Sequence, residues 1–206
     1  MLKKLSLIAL SAVSAFALHT GEININDTDL ELGMKLDMGQ FYSSVEPNTT
    51  FIGGKFINAD ESHSDDAKSG DANSTVELDP YYEVNFLMMR PVGRSGMSLG
   101  MGVKLNYTSV GTKDFVTMPL GIEFAYTIPA RTLIPMYVTG ALYYAPQALA
   151  FSDAEDYLEY RISYDIEVIE NGRITLGFRN IDTNYDVANG DFNYNSSLYA
   201  GFKIGF

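Results

Sequence analysis

Apolar and non-apolar residues alternate along nearly the whole of this sequence, and this alternation limits its fold more than any other feature. Between residues 97 and 107 every second residue is apolar, and the residues between them are Ser, Gly, Lys and Asn. The same period runs through 116–128, 158–168 and 198–206. Side chains repeat every two residues in a β-strand and every 3.6 residues in an α-helix. The sequence therefore predicts an all-β fold.

The alternating runs define nine strands, and a tenth is needed to bring both chain ends to the same side of a barrel. The predicted strands are 22–26, 30–38, 50–57, 81–90, 97–107, 116–128, 136–144, 157–168, 173–181 and 196–206. Bacterial single-chain membrane barrels have an even number of strands. We therefore predict ten strands, with eight as the alternative.

Short and long connections between these strands alternate in the predicted layout. Tight turns are expected at 91–96, 129–131 and 170–172, and longer polar connections at 58–76, 108–115, 145–156 and 182–195. Outer-membrane barrels have short turns on one side and longer loops on the other. The predicted fold is a transmembrane antiparallel up-and-down β-barrel.

A soluble barrel has the same two-residue alternation, but its apolar residues face inward and its polar residues face water. Three features of this sequence favour the membrane form. The strands are long enough to cross a bilayer at a tilt. The non-apolar face is rich in Gly, Thr and Ser and has few charges, unlike a water-facing exterior. The chain ends on Phe206 after an alternating strand, which resembles the C-terminal signal for barrel assembly.

The first 17 residues have the form of a signal peptide. Lys3-Lys4 precede an apolar run, Leu5 to Phe16, and Ala15-Phe16-Ala17 has the small-x-small form of a cleavage site. We expect cleavage after Ala17 and a barrel over 18–206. The predicted location is the outer membrane of a Gram-negative bacterium.

Charge and cysteine content exclude several classes of function. The chain has 26 acidic and 14 basic residues, and its net charge is -12. Binding to nucleic acid phosphates needs a basic surface, so general nucleic-acid binding is not expected. The sequence has no Cys, which excludes disulfides and thiolate zinc sites.

Alternation also predicts which residues face the barrel interior. The charged candidates are Lys35, Glu83, Lys104, Glu123, Glu159, Arg161, Asp165, Glu167, Arg179 and Lys203. These groups could select ions, but in a narrow barrel we expect a paired network. Glu83 and Lys104 are predicted to lie directly opposite each other. Gaps at Gly100, Gly102, Gly121 and Gly177 leave room for a thin water path.

Two further local structures can be predicted. The loop Glu170-Asn171-Gly172 suits a three-residue hairpin with a left-handed Gly172, which pairs Val168 with Ile174. Tyrosines near strand ends suit an aromatic belt at the membrane interface. They are Tyr107, Tyr126, Tyr143, Tyr144, Tyr157 and Tyr160.

No residue pattern predicts a catalytic, cofactor or metal site. His19 lies near the start of the mature chain and is expected to be frayed, and His63 lies in the acidic loop. Carboxylates in the loops could bind divalent cations weakly, although no EF-hand spacing is present. The candidates are Asp60, Glu61, Asp65, Asp66 and Asp71 in one loop and Asp153, Glu155 and Asp156 in another.

Two stretches of the sequence carry a resemblance to a known family. The first comprises Leu142-Tyr143-Tyr144-Ala145-Pro146, Ala148-Leu149, Phe151-Ser152-Asp153 and Tyr157, and the second is Leu176-Gly177-Phe178-Arg179-Asn180-Ile181. Both resemble the YfaZ family of outer-membrane proteins. The resemblance extends in layout from about residue 80 to the end of the chain. The resemblance implies an outer-membrane barrel. The family has no established activity or catalytic residues to carry over, so the resemblance leaves the function open.

We therefore expect a structural or narrow-channel outer-membrane barrel that is not an enzyme and has no cofactor. Its expected partners are outer-membrane lipid and, during assembly, periplasmic chaperones and the barrel-assembly machinery. The alternatives are a membrane enzyme that modifies lipid and a soluble exported barrel that binds a ligand.

Overall fold

The structure is a computed structural model that describes residues 19–59, 78–93, 96–110, 113–129, 134–186 and 192–206. The predicted signal peptide lies outside these residues, as do His63 and the acidic residues of the loop around it. The strands are β1 (Thr20–Ile25), β2 (Asp29–Asp37), β3 (Thr50–Ala59), β4 (Tyr81–Val92), β5 (Met97–Val110), β6 (Lys113–Thr117), β7 (Leu120–Ile128), β8 (Met136–Ala145), β9 (Ala150–Ser152), β10 (Ala154–Ile169), β11 (Gly172–Tyr185) and β12 (Asn193–Gly205). No helix among the described residues is long and apolar enough to span a membrane.

These strands form a closed antiparallel barrel with ten strands in its wall. Neighbours follow the order β1, β2, β3, β4, β5, β7, β8, β10, β11 and β12, and β12 pairs with β1 to close the ring. β6 and β7 are one wall strand interrupted at Met118-Pro119, and both pair with β5. β9 adds a short pairing to β6. The predicted all-β barrel of ten strands is confirmed.

The two ends of the barrel differ. One end, which we call the turn end, contains both described chain termini. It also contains the connections 38–49, 93–96, 129–135 and 170–171. The loop end has connections 26–28, 60–80, 111–112, 146–153 and 186–192. The predicted alternation of short and long connections is only partly right. Connection 38–49 contains a 3-10 helix, Met38–Gln40, whereas β5 and β6 shorten the predicted loop 108–115 to two residues.

Two predicted registers are wrong. Val92 pairs with Met97 around the 93–96 turn, where Gly93 and Gly96 both have positive φ. Lys104 therefore lies opposite Asn85, two positions along the strand from Glu83. In the β10–β11 hairpin, Ile166 pairs with Ile174 and a bulge displaces Val168.

The loop of that hairpin also differs from the prediction. Ile169 pairs with Gly172, so the loop is the two residues Glu170 and Asn171. Asn171 has the left-handed conformation, with φ 60, and Gly172 does not. Asn can adopt this conformation because its short polar side chain bonds to nearby backbone.

Apolar side chains cover the outside of the wall. We call this surface the apolar belt. Its exposed residues are Ile23, Ile25, Leu30, Leu32, Met34, Ile52, Tyr82, Val84, Phe86, Met88, Leu99, Met101, Leu105, Tyr107, Leu120, Ile122, Phe124, Leu142, Tyr144, Tyr160, Ile162, Ile174, Leu176, Leu198 and Ile204. Every wall strand contributes at least one of them. The faces therefore have the polarity that the sequence predicts for a membrane barrel.

Aromatic residues contact one another at two places on the outer face of the wall. Phe56, Tyr82 and Tyr107 form a row on β3, β4 and β5, with ring centroids 5.3 Å and 6.5 Å apart. Tyr160 and Phe178 form a second pair, at 6.0 Å. The prediction of an outer belt is wrong for Tyr143 and Tyr157, which point inward and are fully buried.

Candidate functional site: the barrel interior

Four charged residues meet at the centre of the barrel, and we call them the central ion network: Lys55, Glu83, Lys104 and Glu159. Lys55 Nζ lies 3.4 Å from Glu83 Oε2 and 3.3 Å from Glu159 Oε1. Lys104 Nζ lies 3.0 Å from Glu83 Oε2 and also contacts Glu159 Oε2. All four are buried or nearly so. β3 and β10 are five strands apart in a ring of ten, so the Lys55–Glu159 pair crosses the full width of the interior.

A second group of ion pairs lies beside this network. The Arg161 guanidinium makes two hydrogen bonds to the Glu31 carboxylate, at 2.8 Å and 2.6 Å. Arg179 donates to Glu31, to Asp29 at 3.3 Å and to Asn195 at 2.8 Å. Planar guanidinium groups suit such forked contacts with carboxylates. Arg161 and Glu31 lie on β10 and β2, so this group also spans the interior.

Large side chains from neighbouring strands fill the space next to the glycines that face the interior. The gaps predicted at these glycines are therefore closed. The Tyr143 ring covers Gly102 and Gly121, and the Tyr199 ring covers Gly177. Leu87 and Met89 lie over Gly100. At each of these glycines a Cβ would be too close to a neighbouring side chain. The glycines therefore admit aromatic and aliphatic side chains and leave no free path at these positions.

Aromatic residues close the loop end of the interior. The buried residues of this cluster are Ile57, Leu78, Tyr81, Phe115, Tyr143, Ala145, Ala154, Tyr157, Ile181, Tyr185 and Tyr194. The Tyr81 and Tyr157 hydroxyls are 2.7 Å apart, and Tyr157 donates to Glu159 at 3.0 Å. Tyr194 donates to the carbonyl of Asp79 at 2.9 Å. Buried aromatic residues usually satisfy their hydroxyl groups in this way.

The turn-end half of the interior is less completely filled. It contains a cavity of about 270 Å³, which we call the turn-end cavity. Its floor is the central ion network, and its lining reaches Thr20, Lys35, Arg173 and Lys203 near the strand ends. The Lys35–Glu123 ion pair, 3.0 Å long, joins β2 and β7 across it. Lys203 pairs with Asp165 at 3.0 Å.

All ten charged residues predicted to face the interior do so, and each has an ion-pair partner among the described residues. The expected contact between Glu83 and Lys104 is present, although the two residues are diagonal neighbours. Sequence reasoning missed Glu22, Asp29, Glu31 and Lys55. Glu31 alternates with Leu30 and Leu32 and could have been assigned by the same rule. Lys55 could not, because both faces of β3 have similar composition.

The two described chain ends hold each other at the turn end. Backbone hydrogen bonds run both ways between His19 and Phe206, at 3.1 Å and 2.9 Å. The His19 ring stacks on Phe41 at 5.2 Å, and its Nδ1 accepts a hydrogen bond from the Asp37 backbone N–H at 3.1 Å. The expectation that His19 is frayed is therefore wrong. Its ring nitrogen binds a backbone group, and its ring also lies 5.9 Å from that of Phe206.

The acidic residues predicted to bind cations are only partly described. Asp153 pairs with Lys113 at 3.3 Å, and Asp156 accepts a hydrogen bond from Asn184 at 2.8 Å. In the part of the chain that the structure describes, no group of three or more His, Asp or Glu side chains could hold a metal ion. The candidates in the 58–76 loop lie outside those residues.

No protein-family model and no curated protein matches this chain. The function must therefore be argued from the barrel itself.

Proposed function

We propose that this protein is an integral outer-membrane β-barrel of structural type, with its interior closed by ion pairs and aromatic side chains. The observation that carries the proposal is the apolar belt around a closed wall whose charged residues point inward. A soluble barrel has the opposite arrangement, with polar residues in water. An apolar surface of this extent would associate or aggregate in water.

The height of the apolar belt suits a bilayer. On β5 the exposed apolar residues run from Leu99 to Tyr107, eight residues further along the strand. At about 3.4 Å per residue and a tilt of about 40°, this run spans about 21 Å along the barrel axis. The apolar band of outer-membrane barrels is about 25 Å tall. The row Phe56–Tyr82–Tyr107 then lies at the level where aromatic residues meet lipid headgroups.

The closed interior supports a structural role over a diffusion channel. Wide aqueous channels need about 16–18 strands, whereas the wall here has ten. The ion pairs from β3 and β2 to β10 cross the remaining width. We also propose that the resemblance to the YfaZ family reflects a shared class of outer-membrane barrel. The partners would be outer-membrane lipid and the assembly machinery, and no reaction is assigned.

Substitution of a belt residue by arginine tests the location. Ile162 is 52% exposed on β10, at mid-wall. If this surface faces lipid, Ile162→Arg should lower the free energy of unfolding by about 2–4 kcal/mol in lipid vesicles. Tyr42, 57% exposed in the 38–49 connection, provides the control, because Tyr42→Arg should change stability by about 0.5 kcal/mol or less.

Two further measurements belong to the same test. Envelope fractionation should recover the protein with outer-membrane porins, and the folded band should change mobility on heating in a denaturing gel. Recovery in the soluble periplasmic fraction, together with equal stability of Ile162→Arg and the parent, would overturn the proposal.

A further inference from the structure

The turn-end cavity has an apolar wall and a charged wall. Phe51 of β3 and Leu87 and Met89 of β4 form the apolar wall. Asp165 of β10 and Lys203 of β12 form the opposite side, since β10 lies across the ring from β3. The lumen of a small barrel can hold one small ligand. A ligand that fits here needs both an apolar part and a polar part.

The charges that line the cavity limit the net charge of such a ligand. Lys35 is paired with Glu123, Lys203 with Asp165, and Lys55 with Glu83 and Glu159. A ligand that carries only a positive or only a negative charge must break such an ion pair, and one residue of that pair is then left without its counter-ion inside the barrel. An unpaired buried charge is costly. A ligand that carries both signs replaces both partners and leaves no charge unpaired.

One pair is placed to accept this exchange. The Lys35 side chain is 39% exposed and that of Glu123 17%, against 9% or less for the four residues of the central ion network. Lys35 and Glu123 also come from strands four apart in the ring and bridge the cavity. Tyr143 donates to Glu123 Oε1 at 2.8 Å, while Lys35 binds Oε2. Tyr143 can therefore hold the carboxylate in place when Lys35 releases it.

We propose that the turn-end cavity binds a small zwitterion with an apolar group, of the chemical class of the aliphatic α-amino acids. The ligand carboxylate pairs with the Lys35 ammonium group, and the ligand ammonium group pairs with Glu123 Oε2. The ligand side chain packs on Phe51, Leu87 and Met89. The cavity volume of about 270 Å³ equals that of several water molecules at about 30 Å³ each, so it has room for a ligand of the size of L-leucine.

Calorimetric titration of the folded protein in detergent micelles with L-leucine tests the site. This test does not depend on where the barrel resides, because the argument uses the interior alone. Saturable binding is expected. 4-Methylpentanoate, which lacks the ammonium group, and 3-methylbutylamine, which lacks the carboxylate, should each bind at least about tenfold more weakly. Glycine, which lacks the apolar group, should also bind more weakly.

Variants with matched controls complete the test. Glu123→Gln should weaken L-leucine binding at least about tenfold, whereas Glu167→Gln, a neighbouring inward carboxylate outside the cavity lining, should not. Ala125→Phe should fill the cavity and abolish binding, whereas Ala200→Phe on the outer face should not. Heat-modifiable mobility confirms that each variant is folded.

Three results would overturn the proposal. The first is no saturable binding up to about 20 mM L-leucine by the parent protein. The second is binding of 4-methylpentanoate or 3-methylbutylamine to the parent protein as tight as that of L-leucine. The third is L-leucine binding by folded Ala125→Phe equal to that of the parent.

Discussion

Glu159 holds two lysines at the centre of the barrel, because its carboxylate is an ion-pair partner of both Lys55 and Lys104. Replacement by Gln leaves one more cation than anion in the central ion network. We expect Glu159→Gln to lower the free energy of unfolding by about 3–5 kcal/mol, since a buried ion has lost its partner. Urea unfolding of the protein in lipid vesicles measures this change.

An exposed ion pair of similar length supplies the control. Glu46 and Arg90 are 3.0 Å apart at the turn end, with side chains 71% and 63% exposed. Solvent screens such a pair, so Glu46→Gln should cost about 1 kcal/mol or less. Equal effects of Glu159→Gln and Glu46→Gln would contradict the burial of the central ion network.

Phe206 occupies the edge of the folded barrel, where its backbone makes two hydrogen bonds with His19. Its side chain is 44% exposed. Deletion of Phe206 therefore removes few contacts from the folded state, and we expect stability after refolding in vitro to fall by about 1–2 kcal/mol. We expect a larger effect in cells, because the terminal residue of the alternating strand 198–206 is the predicted assembly signal.

Immunoblots of outer membranes, compared with unfolding of refolded protein, separate these two effects of deleting Phe206. Truncation of His19 with the residues before it from the refolded protein is the control, because it removes the same two hydrogen bonds. Equal outer-membrane levels of parent and deletion variant would count against a role in assembly.

At the scale of single strands, the alternation in the sequence was a reliable guide. All ten predicted wall strands are present, and most extend further toward the loop end than predicted, as β11 does to Tyr185 and β12 from Asn193. The sequence 182–195 is polar, so its composition suggested a loop. These residues pair because the neighbouring strands supply hydrogen-bond partners, and tertiary context of this kind overrides β-propensity.

Registers were harder to predict than strands. Lys104 pairs with Asn85 and not with Glu83, so every pair across β4 and β5 is displaced by two positions from the prediction, and the faces stay the same. Both registers keep apolar residues outward, so the pattern cannot distinguish them. The positive φ of Gly93 and Gly96 decides the outcome, and this is a property of the folded turn.

Packing of a tyrosine on a neighbouring glycine joins β7 and β8 and gives a test at this scale. A Cβ on Gly121 would overlap the Tyr143 ring and the Leu142 carbonyl. We expect Gly121→Ala to destabilise the barrel by about 1–3 kcal/mol, because the ring must leave its position. Gly54→Ala is the control, since its nearest contact would be Glu83 O at 3.5 Å. An equal cost for both variants, measured by urea unfolding in vesicles, would show that this packing contributes nothing.

At the scale of the whole molecule, the sequence predicted many of the charged residues that enter the interior but only one of the contacts between them. Glu83 and Lys104 are close in the sequence and lie on one hairpin, so their contact could be found from the turn. Lys55 and Glu159 are 104 residues apart and meet only because the wall closes. The diameter of the barrel and the stagger of its strands determine such contacts. The alternation of residues within one strand gives no information on either.

Closure of the wall around paired charges leads to a prediction for ion flow. The pair Lys55–Glu159 and the double contact of Arg161 with Glu31 cross the interior, and the Tyr81–Tyr157 contact closes the loop end. An ion that passes must separate these pairs, and each separation leaves buried charge without a partner. We therefore expect the protein in planar bilayers to be silent or to show small flickering steps, beside a trimeric porin as positive control. A large, weakly selective conductance from correctly folded protein would refute the closed interior, because a stable open path cannot coexist with ion pairs that span the barrel.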